Sequence, residues 1–173
     1  MFSLFKIEYK EPEIKIIDNP IFFTGLALNT TDRRISRDIG RLGKKFNKIK
    51  SITPIDNAKI PREFIAATKN YNPANGTMEY MMGDIVNEEA KAPGPELNNF
   101  QIPPGKYAVF AIKPKANFLW GYTIGNMKQY IYRKWLPSSG YTNAGVIDDF
   151  EYHGQRSFLK KPEIDLYVAI KDK

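Results

Sequence analysis

The sequence predicts an α+β domain made of two tandem strand–helix–strand–strand repeats. Three observations lead to this prediction: short runs of β-forming residues, two segments with apolar residues at helical spacing, and the recurrence of these patterns in one order. With 173 residues, 42% hydrophobic and 13% aromatic, the chain can build one interior. Each repeat alone is too small to cover its sheet and helix, so we expect both to pack as one domain with a cleft between them.

The first repeat, at about residues 20–90, is expected to contain three strands and one helix. The strands are predicted at Ile21–Asn29, Phe64–Tyr71 and Thr77–Val86, from their β-formers and aliphatic residues. Thr31 or Asp32 can cap the helix, which is predicted to end near Lys50. The second and third strands are joined at Pro73–Gly76, where Asn-Gly tolerates positive φ.

A Pro-rich linker, at about residues 92–104, is predicted to precede the second repeat, at about 105–171. Its strands are predicted at Lys106–Ile112, Phe150–His153 and the alternating segment Ile164–Ile170. A helix is predicted from Asn117 to a stop at Pro137. Its apolar positions are Trp120, Ile124, Met127, Ile131 and Trp135.

The first helix carries much of the net charge of +7. Its basic residues are Arg33, Arg34, Arg37, Arg41, Lys44, Lys45, Lys48 and Lys50. They share the segment with apolar residues at helical spacing, so we interpret them mainly as the solvated side of an amphipathic helix. Contact with DNA or another acidic partner is the alternative, and nucleic acid is not expected as a partner.

The composition excludes several functional classes. The chain has no cysteine, which excludes disulfides, thiolate metal sites and cysteine nucleophiles, and its one histidine argues against a multi-histidine metal centre. No apolar run reaches the roughly 20 residues of a membrane span, and residues 1–6 turn charged too soon for a secretion signal. We therefore expect a cytoplasmic location, no membrane partner and no cofactor or metal.

One acidic residue stands among aromatic residues near the end of the second repeat. Glu151 lies between Phe150 and Tyr152 on a predicted strand, and alternation sends it to the face opposite both. From the residues alone, either face can be the core. A carboxylate among aromatics is costly without a positive partner, so the pattern favours a pocket for a cationic or polarisable organic ligand.

Several motifs occur in the order and spacing of a known family. They are Gly25-Leu26, Tyr80-Met81-Met82-Gly83, Ile102–Phe110, Ile131–Tyr141 with its Trp-Leu-Pro, Asp149-Phe150-Glu151 and Glu163–Val168. The chain from about residue 21 onward resembles the GyrI-like small-molecule-binding domain, which is also the effector-binding module of AraC-type and MerR-type regulators. His153 departs from the aromatic residue common in the family at that position, and Ala169 from a common proline.

The resemblance implies a duplicated SHS2-type fold, with pseudo-twofold symmetry and a ligand groove between the repeats. Family members typically bind hydrophobic cations and planar dyes, and an acid at the position of Glu151 faces the groove. The candidate ligand-binding residues are Glu151, Tyr80, Phe110, Trp120, Trp135 and Tyr141. Core packing is the alternative for the aromatic residues, and Tyr141 is expected in a loop at the cleft.

The sequence interpretation is a stand-alone protein of one domain, residues 1–173, that senses or sequesters hydrophobic organic ligands. We expect these ligands to be cationic. A bound cation should lower the pKa of Glu151, which burial should raise while the groove is empty. Some family members hydrolyse strained rings, so Glu151 as general base, paired with His153, is the enzymatic alternative; an enzyme is the less expected outcome. A transcription regulator or DNA gyrase is a possible protein partner. Asp148 and Asp149 are interpreted as solvated, not as metal ligands.

Overall fold

The computed structural model of the protein describes residue 7 and residues 9–88 and 96–173. It is an α+β fold, as predicted, and one large antiparallel sheet carries two main helices. The strands are β1 (Glu13–Ile17), β2 (Ile21–Thr31), β3 (Phe64–Asn72), β4 (Thr77–Ile85), β5 (Asn98–Ile102), β6 (Gly105–Ile112), β7 (Tyr141–Asn143), β8 (Asp149–His153) and β9 (Ile164–Asp172). The helices are α1 (Ile35–Ile52), α2 (Trp120–Tyr130) and the short α3 (Leu136–Ser138).

The strands of the sheet fall into two halves with the same order. Along the sheet the order is β1-β6-β9-β8-β3-β4-β2-β5, with β7 paired to β9 outside this path. In each half the first and third strands pair, and the second strand lies inside: β2, β4, β3 on one side and β6, β9, β8 on the other. The halves meet where β3 and β8 pair antiparallel, with Ala66 opposite Glu151. This order is what a duplication predicts, and we keep the duplication as an interpretation.

Both helices cover the same face of the sheet. Leu42, Phe46 and Ile49 of α1 pack on residues of β2, β3 and β4. Met127 of α2 and the following Ile131 pack on β6 and β9, where the alternating residues from Ile164 to Ile170 are buried as predicted. The opposite face carries a third apolar cluster with residues from both halves, among them Phe23, Ile65, Tyr107 and Phe150. The position of α1 and α2 leaves β3 and β8 between them.

The first helix is confirmed as amphipathic, with one error at its start. It begins after Arg34, which has no side-chain capping hydrogen bond, so the capping role predicted for Thr31 or Asp32 is wrong. Instead, the Thr31 carbonyl accepts a hydrogen bond from the Arg34 backbone N–H. All of the basic residues from Arg33 to Lys48 are exposed, as predicted for a solvated side, and Lys50 is half-buried.

The second helical segment is longer and less regular than predicted. A 3₁₀ turn at Asn117–Leu119 precedes α2, and a π-helical turn at Ile131–Trp135 follows it. Pro137 does not end the helical path. It lies in the first positions of α3, where the lack of a backbone N–H costs no hydrogen bond. The helical path therefore ends at Ser138.

Three strands were not predicted. The strand β5 lies within the expected linker, at the sheet edge beside β2, where the prolines that follow it at 103 and 104 break no central ladder. The remaining part of that linker at 92–95 is outside the described residues. At the other edge, β1 pairs with β6. Tyr141 lies on β7 and not in a loop, which corrects its predicted setting.

Two glycines in the predicted motifs allow a close approach of β2 and β4. Gly25 and Gly83 are opposite each other in the register. A Cβ atom on Gly25 would lie 1.8 Å from the Met82 carbonyl oxygen, and one on Gly83 would lie 2.3 Å from the Thr24 carbonyl oxygen. Larger residues at these positions would force the strands apart, so the spacing of the first half depends on both glycines.

Candidate functional site

The two central strands present a polar surface between the helices. We call this surface the central strip; it consists of the side chains of β3 and β8 that face the helices, namely Phe64, Ala66, Thr68, Asp149, Glu151 and His153. From the first helix, Phe46 contacts the ring of Phe64, with centroids 6.5 Å apart. From the second helix, Lys128 reaches Thr68 and Asp149. The strip is therefore flanked by both halves of the chain.

Glu151 lies near the middle of the central strip and is only 8% exposed. Its neighbours in the register are Ala66 on β3 and Leu166 on β9, and Phe150 points into the opposite cluster. The sequence alone left the face of Glu151 open; in the structure it is the helix-bearing face. A carboxylate oxygen lies 3.2 Å from Nε2 of His153, which is two residues further on the same face. Glu151 is thus buried and paired within the chain.

A second buried carboxylate, Asp149, is adjacent to Glu151. It is 2% exposed, so the interpretation of Asp149 as a solvated turn residue is wrong. Lys128 Nζ forms an ion pair with its Oδ1 at 2.7 Å, and the Tyr132 hydroxyl donates to its Oδ2 at 2.8 Å. Lys128 also donates to the Thr68 hydroxyl at 3.2 Å. The second helix therefore supplies a cation of the chain's own to the central strip.

The positive groups of the chain decide the ionisation of Glu151. Burial by itself raises the pKa of Glu151, but the hydrogen bond from His153 and the charges of Lys128 and His153 outweigh burial and hold the pKa below its ordinary value. The expectation of a raised pKa without ligand is therefore wrong, because it assumed that no internal cation was present. Burial also lowers the pKa of Lys128, yet Asp149 and Glu151 prevail and raise it. Both carboxylate and ammonium are charged at neutral pH.

A third buried acid lies beside the same end of the strip as His153. Asp84 of β4 is 3% exposed and lies opposite Phe64 in the register. It forms ion pairs with Lys50 of α1 and with Arg62, whose Nη2 lies 2.8 Å from the carboxylate. The two helices therefore each send one lysine to a buried aspartate, and Glu151 lies between these two pairs.

Two of the predicted aromatic residues lie near Glu151. Tyr80 of β4 is 3% exposed and is opposite Thr68; burial and the charges of Glu151 and Asp149 raise its pKa well above the ordinary value. The Trp120 ring centroid lies 6.4 Å from that of His153, at the start of α2. The imidazole also meets the edge of Phe64, with ring centroids 5.3 Å apart. Rings thus surround the strip at the His153 end.

The other three predicted residues lie together in another part of the second half. Phe110 shares a row with Glu151 but lies two strands away, about 10 Å at ordinary strand spacing. Its ring packs edge-on against Trp135 at 5.2 Å, and Trp135 stacks on Tyr141 at 6.2 Å. The structure therefore separates the six candidates into a central group, with Glu151, and an outer group. Core packing accounts for the burial of Phe110 and Trp135.

The outer group borders a surface cavity of about 270 Å³, which is lined by Glu11, Pro12, Ile14, Trp135, Ser138, Ser139 and Tyr141. The indole Nε1 of Trp135 donates to the Glu11 carboxylate at 3.1 Å. A cavity of about 330 Å³ lies at the far end of the first half, beside Thr30 and Glu79. Glu151 lines neither of these two cavities and is itself buried.

Three important residues at the central strip were absent from the sequence prediction: Asp149 as a buried group, and Lys128 and Tyr132, which contact it from the second helical segment. For two of them, Lys128 and Asp149, the sequence contains a signal. Lys128 follows Ile124 by four residues and therefore places a charge on the apolar side of the helix. Asp149 precedes Glu151 by two residues and must share its face of the strand.

Two further properties of the described residues concern ligands and membranes. Within residues 9–88 and 96–173, no three acidic or histidine side chains converge in a way that could hold a metal ion. In the same part of the chain, no helix combines the length and the apolar character needed to cross a bilayer.

The fold is that of GyrI-like effector-binding domains. An integron cassette protein from the mobile metagenome of Vibrio cholerae superposes with a TM-score of 0.65 at 15% identity, covering 94% of this chain and 97% of the other. The protein SAV2435, in a structure bound to tetraphenylphosphonium, also gives 0.65 at 13% identity, with 94% of each chain covered. The C-terminal domain of EcmrR gives 0.59 at 12% identity, covering 94% and 98%.

The sequence itself identifies the family. The model of the integron-associated effector-binding protein family, Cass2, matches residues 10–170, and the chain belongs to this family. No protein with a curated description matches the chain in sequence.

Proposed function

We propose that the protein binds hydrophobic organic cations above the central strip, with Glu151 as the charge complement. The observation that carries this proposal is a carboxylate 8% exposed, ionised at neutral pH and bordered by Tyr80, Trp120 and Phe64. A cation above such rings gains about 0.5–2 kcal/mol per contact, in addition to its attraction to the carboxylate. Membership in an effector-binding family and the tetraphenylphosphonium complex of a protein with this fold support the proposal.

Ligand entry requires the side chains that bury Glu151 to move. Two glycines in α2 make this helix the element that we expect to move. Gly121 and Gly125 lie within α2, and a Cβ atom on either would meet nothing within 4 Å. A larger side chain would therefore fit at both positions. Each glycine lowers the stability of the helix by about 0.8–1 kcal/mol relative to alanine. The π-helical turn after α2 is a further irregularity in its hydrogen bonding. We infer that α2, which carries Lys128 and Trp120, moves to admit the ligand.

The charge of Glu151 should be necessary for tight binding. Glu151→Gln keeps the shape of the side chain, removes its charge and is expected to weaken binding of tetraphenylphosphonium, or of a rhodamine dye, by about tenfold or more. Fluorescence titration of the dye and calorimetry of the phosphonium measure the affinity. Glu13→Gln is the matched control, because Glu13 has a 70% exposed side chain on β1. Equal affinity of the wild type and Glu151→Gln would reject the proposed role.

Hydrolysis of a strained-ring electrophile is the second candidate function, favoured by the carboxylate–imidazole contact of Glu151 and His153. The lowered pKa of Glu151 makes this carboxylate a weak general base, so we rank binding first. Incubation with a cyclopropane-bearing alkylator, followed by mass spectrometry, distinguishes the two: hydrolysed product that disappears in Glu151→Gln supports catalysis.

A regulator or gyrase partner remains a separate proposal, tested by pull-down with wild type and an Arg37/Arg41 charge-reversed variant.

A further inference from the structure

Glu151 differs from the other two buried acids in how its charge is compensated. Asp149 has Lys128, and Asp84 has both Lys50 and Arg62. Lysine and arginine stay protonated across the neutral range, whereas an imidazole ordinarily changes charge between pH 5 and 8. The hydrogen bond of Glu151 is with His153, at 3.2 Å. The charge of Lys128 also acts on Glu151, but the part of the compensation that the hydrogen bond supplies depends on whether the imidazole carries a proton.

We propose that His153 determines the affinity of the site: a monocationic ligand binds above Glu151 in exchange for a proton on the imidazole. This inference rests on the proposed function and assigns a role to the residue that departs from the family pattern. Lys128 forms its ion pair with Asp149. The charges of Asp149, Glu151 and Lys128 sum to one negative charge, which either a protonated His153 or one ligand cation can balance. Both cations together would repel each other in a site of low dielectric.

The surroundings of His153 place it where the ligand would lie. On its own strand it faces Glu151 and, beyond it, Asp149; from β3 the edge of Phe64 contacts it. Trp120 contacts it from the second helix, which also carries Lys128. A cation stacked on these rings and paired with Glu151 would displace the positive charge of the imidazole.

The remaining charged groups near this end of the strip are Asp84, Lys50 and Arg62. Asp84 and Lys50 compensate each other in an ion pair. Arg62 lies 5.3 Å from the centroid of Phe64 and has a 44% exposed side chain, so solvent screens its charge. The exchange therefore involves one proton, which leaves Nε2 or Nδ1 of the imidazole for solvent, and no covalent bond to the ligand forms.

The test measures tetraphenylphosphonium affinity by calorimetry from pH 5 to pH 8 at constant ionic strength. This ligand has no titratable group, and the lowered pKa of Glu151 keeps the carboxylate ionised over this range. We expect the wild-type affinity to increase at least about tenfold from pH 5 to pH 8. Calorimetry in two buffers of different ionisation enthalpy should detect up to one proton released per ligand at pH 5–6.

Two matched controls isolate the imidazole. His153→Tyr supplies an aromatic ring without a group that titrates in this range. Because Glu151 then loses the hydrogen bond that lowers its pKa, some pH dependence remains, but the affinity should increase less from pH 5 to pH 8 than in the wild type. Triphenylphosphine oxide, a neutral analogue with three of the four rings, should bind the wild type without proton release. Thermal unfolding confirms that the variant is folded.

The outcomes separate the inference from the proposed function. Binding of tetraphenylphosphonium with no pH dependence, or with the same pH dependence in His153→Tyr, would overturn the exchange and leave the cation site standing. Failure of the wild type to bind any of the cations at pH 8 would overturn the proposed function and the exchange together.

Discussion

Replacing Lys128 with methionine is expected to lower the free energy of unfolding by about 3 kcal/mol at pH 7, because it leaves two buried carboxylates without their shared cation. Asp149 and Glu151 are 2% and 8% exposed, so water does not take over the role of the ammonium. Lys128 keeps 23% of its side chain exposed, which places the effect at the lower end of the range for a broken buried pair. Urea denaturation measures the difference.

Lys128→Met should also reverse the direction in which the contribution of Glu151 to stability changes as the pH falls from 7 to 5. In the wild type the pKa of Glu151 lies below the ordinary 4.5, so its stabilising contribution is present above about pH 4.5 and is lost as the pH falls through the lowered pKa. The raised pKa of Lys128 contributes stability that is present below pH 10.5 and is lost as the pH rises through the raised value. Without Lys128, burial should raise the pKa of Glu151, so Lys128→Met should gain stability from pH 7 to pH 5 relative to the wild type.

Two further variants test the electrostatic explanation. Lys134→Met removes an exposed lysine from the π-helical turn and should change stability by less than about 0.5 kcal/mol. Lys128→Met combined with Asp149→Asn removes both members of the ion pair and should recover part of the loss. Two results would contradict the electrostatic explanation. One is a Lys128→Met variant as stable as the wild type at pH 7. The other is a loss of unfolding free energy in Lys134→Met as large as that in Lys128→Met.

Most strands and both main helices could be predicted because each buries one clear set of side chains. The alternating residues from Ile164 to Ile170 and the apolar side of α1 each have one period and one buried face. The edge strands β1 and β5 lack that signal, since most of their side chains are exposed or half-buried. Their hydrogen bonds to β6 and β2 come from tertiary structure, which no local pattern records.

The ligand-binding role of the six candidate residues stays a prediction, but the structure shows how they are placed. Glu151, Tyr80 and Trp120 lie near one another. Phe110, Trp135 and Tyr141 lie together in the outer group, and family likeness was the only reason to place Tyr80 and Phe110 in the groove. Sequence spacing fixes which face of a helix or strand a residue occupies, not the distance between faces of separate elements. The compensation of Glu151 was missed because it depends on Lys128, 23 positions away, reaching across from another element.

Removal of Lys128 should also strengthen the binding of a cationic ligand. At pH 8 the ammonium of Lys128 competes with the ligand for the two carboxylates, since it lies 2.7 Å from Asp149 and its charge also acts on Glu151. At an effective dielectric constant of about 20 and a separation of about 6 Å, one unit charge changes the interaction energy by about 3 kcal/mol, or roughly a hundredfold in affinity. Partial protonation of the carboxylates in the variant reduces this gain, so we expect at least about tenfold tighter tetraphenylphosphonium binding to Lys128→Met at pH 8.

Calorimetry at pH 8 measures this gain, and ligand-induced thermal stabilisation provides an independent reading, because a ligand that binds the folded state stabilises it in proportion to the logarithm of its relative concentration. Triphenylphosphine oxide should bind the wild type and Lys128→Met with similar affinity, since it carries no net charge. A phosphonium affinity that fell in Lys128→Met, although the variant remained folded, would mean that the ligand does not occupy the field of Asp149 and Glu151. The cation site would then have to be sought away from the central strip, beginning with the outer cavity beside Glu11 and Trp135.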